Sequence, residues 1–377
     1  MPGHFKQKVL NALGMNQHAG SPQDQSLPPG VVTHQPSRER VQVQIQDDER
    51  PLTSGPNNGT YPRLTRLADG SLLSSVTQFP DGQNALRIAR STDGGRTFHE
   101  YAEVTRATGE IDNLFLLEVI PGTVLAAFRN HDKGPEGFTH FRITVCRSTD
   151  GGRTWHYASQ AAEKSPPWGI WEPFMRIGRE GEVQLTYSLE YAHNNQCTML
   201  VVSHDLGSSW SGPVCLYGRE EPLRDGMNGI ATTFDNGREV LIMVFETTRY
   251  GPFSIEALVS YDDGASWQDR QEVFRPRPEH NAGAPQISAF ADGSLAVVFM
   301  TDDDSQQVDW VQHASIKAIF ADPPQNGRIS WSEAYLVSPE SSFWPGVFAL
   351  DQHTALVTYD RGGPLVKTIL RGILDRD

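Results

Sequence analysis

The chain comprises 377 residues, 38% hydrophobic and 21% charged, with 34 Gly and 25 Pro, a globular composition rich in turn formers that excludes collagen and wholesale disorder. A formal net charge of −14 without any cluster of Lys or Arg excludes a nucleic-acid surface and favours a neutral or small polar ligand. No apolar run approaches the roughly 18 residues needed to span a membrane, and the cysteines, Cys146, Cys197 and Cys215, are too few and too irregularly spaced for a disulfide framework or a zinc site.

The first segment, Met1 to Met15, carries Lys6 and Lys8 but only the broken apolar run Val9 to Met15, too short for a signal-peptide core. Residues 17–36 are mostly Gln, Ser, Pro, Gly and His, so 1–38 is expected to be a disordered leader and 39–377 a single catalytic domain. Val41 to Ile45 alternates in polarity and is expected to pair with the segment Leu365 to Leu374 in the last repeat, closing a ring.

Between these ends the chain repeats. The pattern Ser-x-Asp-x-Gly-x-x-Trp/Phe begins at Ser91, Ser148, Ser203 and Ser260, spacings of 57, 55 and 57 residues. A second repeat pairs a tight turn with a following short strand. The turns are Asp69-Gly70, Pro121-Gly122, Glu180-Gly181, Asn236-Gly237, Asp292-Gly293 and a degenerate Asp351-Gln352. The strands are Leu72–Val76, Val124–Phe128, Val183–Tyr187, Val240–Phe245, Leu295–Phe299 and Ala355–Tyr359. A period of this length built from short strands, without helical periodicity, predicts an all-β, six-bladed β-propeller. The octapeptides match the Asp-box (BNR) pattern of sialidase-like propellers. Their Asp side chains are expected to staple a turn rather than to catalyse, with Gly supplying a positive φ.

Propeller topology turns sequence position into geometry. Residues entering the first strand and leaving the second strand of each blade should ring the channel mouth, opposite the octapeptides. Glu172, between Trp171 and Pro173-Phe174, and Glu246, ending the run Leu241 to Phe245, sit in neighbouring blades in apolar settings that raise a carboxyl pKa, and they read as a catalytic pair. The remaining expected substrate contacts are Arg63, Asp112, Asn113, Arg129, Trp171, Glu190, Asn228, Asp302, Trp344 and Tyr359, a mixture of hydroxyl-binding, charged and stacking groups suited to a sugar. A surface ion pair is the competing reading for Arg63 and Arg129. His131 and His280 lack ligand spacing, so no metal is expected.

These residues carry a family resemblance. Arg63 in GTYPRLTRLADGSLL, Asp112-Asn113 in DNLFLLEVIPG, Glu172 in WEPFMRI and Glu246 in VFE resemble the exo-1,5-α-L-arabinanases of glycoside hydrolase family 93, over about Asn58 to Asp360. The resemblance implies a retaining hydrolase that releases arabinobiose from linear 1,5-α-L-arabinan without a cofactor, with Glu172 as nucleophile and Glu246 as general acid/base. A retaining pair stands about 5–5.5 Å apart. The implied partner is an oligo- or polysaccharide, bound by a monomer. An arabinan-degrading enzyme is expected outside the cell, whereas the N-terminal segment shows no signal-peptide core and fits an intracellular location equally; the sequon Asn58-Gly59-Thr60 is compatible with secretion.

Two alternatives stand beside this reading. An exo-sialidase shares the propeller and an early arginine, and would use Tyr359 with a glutamate and further arginines where this chain has Met227-Asn228-Gly229 and Asn281 to Ala284, Arg224 lying just upstream. A non-hydrolytic carbohydrate-binding or repurposed propeller is the other.

Overall fold

The computed structural model describes residues 42–53 and 58–372; the expected leader and Val41 lie outside the described residues. Six antiparallel sheets are arranged as a propeller. Blade one comprises Thr60–Arg66, Leu72–Gln78, Asn84–Ser91 and His99–Ala107, and blade two Glu110–Ile120, Thr123–Gly134, Gly137–Ser148 and His156–Lys164. Blade three comprises Ile170–Ile177, Val183–Ala192, Asn195–Ser203 and Val214–Tyr217, and blade four Gly226–Asp235, Arg238–Thr247, Ser254–Ser260 and Gln268–Phe274. Blade five is Ala282–Ala289, Leu295–Thr301, Ser315–Ala321 and Tyr335–Ser338. Blade six has Phe343–Ala349, Thr354–Asp360 and Pro364–Gly372.

The outer strand of blade six comes from the other end of the chain. Gln42–Ile45 pairs antiparallel with the last strand, Gln42 opposite Gly372 and Ile45 opposite Ile369, as the alternation of this segment predicts. First strands of successive blades touch around the ring, and that of blade six touches that of blade one. Second strands are sandwiched between neighbouring sheets, so Val240 to Phe245 are all buried and the run is apolar at every position instead of alternating. Apolar side chains of adjacent blades fill the layers between them, as where Leu125 and Ala127 of blade two meet Val183 and Leu185 of blade three.

The four octapeptide turns join third to fourth strands in blades one to four, on the face away from the first-strand starts. In the turn after Ser91, the Asp93 carboxylate accepts hydrogen bonds from the amides of Arg96 and Thr97 and from the hydroxyls of Ser91 and Thr97, at 2.6–3.0 Å. These bonds hold the Asp93 carboxyl well below the usual range against the opposing effect of desolvation, and Asp150 is held the same way. Such carboxylates are anchored anions without a proton to donate, which agrees with a stapling role.

The strands extend further toward the channel mouth than their apolar runs predict. Arg238–Thr247 includes Glu246, and Thr123–Gly134 includes Arg129, so these residues lie within second strands rather than beyond them. Their polar side chains are buried around the mouth, and burial keeps the backbone ladder intact there.

Candidate active site

All six first strands carry the same irregularity. Pairing with the second strand skips two residues: 61–62, 113–114, 172–173, 227–228, 284–285 and 344–345. The leading residue of each skip, Tyr61, Asn113, Glu172, Met227, Ala284 or Trp344, has φ between 40° and 56°. Such bulges increase local twist and re-aim a side chain, and a left-handed non-glycine residue costs about 1–2 kcal/mol. In four blades the next residue is proline, Pro62, Pro173, Pro285 or Pro345, which disfavours the right-handed helical region for its predecessor and has no amide hydrogen to leave unpaired. The strain therefore belongs to the fold, and blade three uses its bulge to aim a carboxylate.

A pocket of about 350 Å³, counted to its open mouth, lies on this ring, and Glu172 lines it together with Tyr61, Arg63, Asn113, Phe174 and Asn228. Glu246, on the second strand of blade four, is not among the lining residues, but its charge is felt at Glu172. Its Oε2 accepts the amide of Ala284, the bulge residue of blade five, at 2.8 Å. The approach is close enough that a Cβ on Gly283 would lie 2.6 Å from this oxygen and from the Trp310 ring, which accounts for glycine there.

Both carboxyls hold protons unusually well. Burial pushes Glu172 up to about 8; Arg129 and Arg224 oppose this, while the charges of Glu246 and Glu190 add to it. Burial likewise raises Glu246 to about 7 against the pull of the Ala284 amide and Arg224. Near neutrality the two carboxyls resist ionising together, because each is buried and the charge of Glu246 raises Glu172.

The other expected site residues divide into those in the pocket and those behind it. Arg63, Asn113 and Asn228 line it. The Arg63 guanidinium donates to the carbonyls of Pro62 and Trp344, has no carboxylate partner among the described residues, and is lowered by burial to about 10. The side-chain oxygens of Asn113 and Asn228 are buried and accept no hydrogen bond. Asp112 lies behind Asn113, fully buried and bonded to Thr77, to the Asn113 amide and to Arg129, which also reaches Glu110 at 3.0 Å. Trp171 points into the layer between blades two and three, with the Arg129 guanidinium over its ring at 5.3 Å. Trp344 stacks on the pocket-lining Tyr61 at 4.6 Å.

Three residues expected on the rim have other partners. Both carboxylate oxygens of Glu190 are engaged, by Arg224 at 2.7 Å and the Gly169 amide at 3.0 Å. Asp302 is fully buried, accepts the Asn281 amide at 2.7 Å and lies 3.4 Å from His280. The Tyr359 hydroxyl donates to Glu49, 2.6 Å away, in the N-terminal segment. Among the described residues no group of His, Cys, Asp and Glu is arranged to hold a metal ion.

Phe115 and Gln286 also line the pocket, and neither stands out in the sequence. Each directly follows its bulge, in register with Arg63 and Phe174; aligning the first strands on the recurring x-Pro pair exposes Gln286, whereas Phe115 follows Asn113-Leu114 and carries no such mark. A larger hollow on the octapeptide face is lined by Asp48, Asp93 and Asp351, whose carboxylates are committed to Thr368, to the Ser91–Phe98 turn and to the amides of His353 and Thr354. Acids so anchored leave that hollow without a proton donor.

No family model matches the chain. The sialidase of Micromonospora viridifaciens is 28% identical over 297 residues, which is 66% of this chain and 45% of that protein, so the chain spans less than half the length of this relative. The GH93 α-L-arabinofuranosidase of Fusarium graminearum, solved with arabinobiose, superposes with a TM-score of 0.63 at 18% identity, covering 86% of this chain and 96% of that one. The α-L-arabinanase of Penicillium chrysogenum, complexed with arabinobiose, gives a TM-score of 0.59 at 17% identity, covering 83% and 93%. At these identities the structural likeness is one of fold.

Proposed function

We propose that the chain is a retaining glycoside hydrolase that releases arabinobiose from linear 1,5-α-L-arabinan. The observation that carries the reading is a pair of buried carboxyls on adjacent blades, both with raised affinity for protons: Glu172 lines the pocket, and Glu246 is near enough for its charge to raise Glu172. Two carboxyls sharing one proton are what a retaining glycosidase requires. The arabinobiose complexes among the structural neighbours support the choice of sugar, as do the WEPF and VFE segments.

The amide donor at Glu246 favours roles opposite to those implied by the family resemblance. Glu172, whose proton is held by burial and by the neighbouring charges of Glu246 and Glu190, is the general acid that protonates the leaving oxygen. Glu246, whose anion is supported by the Ala284 amide, attacks the anomeric carbon. The resulting glycosyl ester is cleaved by water that gives a proton to the Glu172 carboxylate, restoring the starting state. The pocket wall suits a neutral sugar: it is lined by Asn113, Asn228 and Gln286, amide side chains able to bond hydroxyls in either sense, and by Arg63, which can donate to hydroxyl oxygens.

A sialidase-like activity is the second reading, favoured by the similarity to the Micromonospora enzyme and by the carboxylate-free Arg63. Arg129 and Arg224 are committed to carboxylates, and the Tyr359 hydroxyl to Glu49. The test is product analysis on linear arabinan beside a fluorogenic sialoside. Arabinobiose as the sole early product, formed first as the retained anomer by NMR, is expected, with kcat/KM bell-shaped and limbs near pH 7 and 8. Glu172→Gln and Glu246→Gln should each remove activity with an unchanged circular dichroism spectrum. Activity on the sialoside alone, or an active double variant, defeats the proposal.

A further inference from the structure

Glu190 and Arg224 form a buried link between the segments that carry the two reacting carboxyls. Glu190 Oε2 accepts the Gly169 amide at 3.0 Å, three residues before Glu172, and Oε1 accepts Arg224 Nη2 at 2.7 Å. The backbone amide of Arg224 donates to Thr248 Oγ1 at 3.0 Å, two residues after Glu246. Arg224 Nη2 also donates to Gln196 Oε1 at 2.7 Å and Nη1 to the His193 carbonyl at 2.9 Å. The chain Gly169–Glu190–Arg224–Thr248 thus crosses the seam of blades three and four, beginning beside one acid and ending beside the other. Both side chains are more than nine-tenths buried, so this link works inside the protein and not on its surface.

Resting on the reading of the site as a two-carboxyl hydrolase, we infer that Glu190 and Arg224 are positioning residues: the pair fixes the spacing of Glu172 and Glu246 and sets the charge that both acids feel. The electrostatics have a definite sign. Arg224 draws protons off both acids, and Glu190 returns part of that effect at Glu172. Removing Glu190 leaves a guanidinium charge uncompensated, and removing Arg224 leaves a carboxylate uncompensated. The two substitutions therefore move the titration of the reacting pair in opposite directions. The other groups facing Glu172 are Arg129 from blade two, Arg63 and Tyr61 from blade one, and Glu246 itself; Glu246 faces the Ala284 amide of blade five. All of these are unchanged in the variants.

The geometry argues for Glu190→Gln as the probe. The amide that replaces the carboxylate has one acceptor oxygen where two donors, the Gly169 amide and Arg224, now find two, so one bond of the link is lost while the volume is kept. Misplacement of this kind acts on the reaction more than on binding, and a fall in kcat of about tenfold to a hundredfold with KM changed less than about threefold is expected.

The experiment follows the Glu172 and Glu246 carboxyl carbons by NMR titration in glutamate-labelled protein, beside pH–rate profiles on arabinan, for the parent, Glu190→Gln, Arg224→Gln and the double variant. Glu190→Gln should shift the Glu172 titration and the basic limb down by about one unit, Arg224→Gln should shift both acids up, and the double variant should return toward the parent. Equal losses of activity without opposed titration shifts, in variants that melt as the parent does, overturn the inference. Should Arg224→Gln fail to fold, Glu190→Gln and Arg224→Lys decide it: Lys keeps the charge, so the titration must stay near the parent value while kcat falls. The titration needs no substrate, so an enzyme inactive on arabinan sinks the arabinanase reading and leaves this test standing.

Discussion

At the scale of single residues, the same burial that prepares Glu172 and Glu246 for chemistry opposes stability at neutral pH. Each has a folded pKa above the ordinary value of 4.5, so the folded chain holds protons that the unfolded chain releases. This contribution is fully present below about 4.5 and is lost as pH rises through about 7 and 8. His131 works the other way. Burial, reinforced by Arg129, lowers it from 6.5 to about 2, so its contribution is present above 6.5 and is lost as pH falls toward 2. Taken together these three groups place their stability maximum near pH 4.5, because above it the two glutamates lose more than His131 gains, and this lies below the activity maximum between about 7 and 8. Glu172→Gln, which removes a buried charge, is expected to be inactive yet more heat-stable than the parent above pH 8, by an amount of order a few kcal/mol, with little difference at pH 4.5. Melting curves of the two proteins across pH 4–9 measure this, and a variant less stable at every pH would remove the claim that Glu172 is buried at a cost.

At the scale of elements, the octapeptides and the first-strand bulges differ in how far they can be read from sequence. An octapeptide is closed by its own residues: Asp150 accepts the amides of Arg153 and Thr154 and the hydroxyls of Ser148 and Thr154 within one turn. Local chemistry of this kind leaves a fixed pattern, and the period follows from it, while the blade number comes from the six turn-and-strand units. A bulge is defined by a partner strand some fifteen residues away, so nothing local marks Glu172 as the residue aimed at the pocket or Trp171 as the one turned into the layer between blades. The sequence therefore places Trp171, Glu190, Asp302 and Tyr359 on the rim, where the structure gives them other partners, and it does not single out Phe115 and Gln286, which line the pocket. The same contrast predicts how damage should spread. Asp150→Ala removes four hydrogen bonds from a turn on the far face and should cost about 1–3 kcal/mol by chemical denaturation while leaving kcat/KM per folded molecule unchanged. A loss of activity larger than the loss of folded protein would mean that the two faces are coupled.

At the scale of the whole molecule, the propeller is a ring whose closure depends on residues from both ends of the described chain. Gln42–Ile45 supplies the outer strand of blade six, and Asp48 bonds the Thr368 amide at 2.9 Å and its hydroxyl at 2.6 Å. Arg50 reaches across to the Gly95 carbonyl in blade one at 2.8 Å. Glu49 completes this clasp by accepting the Tyr359 hydroxyl from the second strand of blade six. Tyr359 thereby distinguishes a closing role from a chemical one, since the sialidase-like reading would use its hydroxyl on substrate. In the closed ring that hydroxyl is tied to a carboxylate, and desolvation together with Glu49 holds its proton well above the ordinary tyrosine value, the opposite of an activated nucleophile. Tyr359→Phe keeps the ring and loses one charge-assisted bond, so it should cost about 1–3 kcal/mol, lower the Tm by a few degrees and leave turnover of arabinan unaltered. Glu49→Gln, which keeps an acceptor for the hydroxyl, should lose less. If Tyr359→Phe instead ends turnover while melting as the parent does, the hydroxyl acts on substrate and the clasp is not its reason for being there.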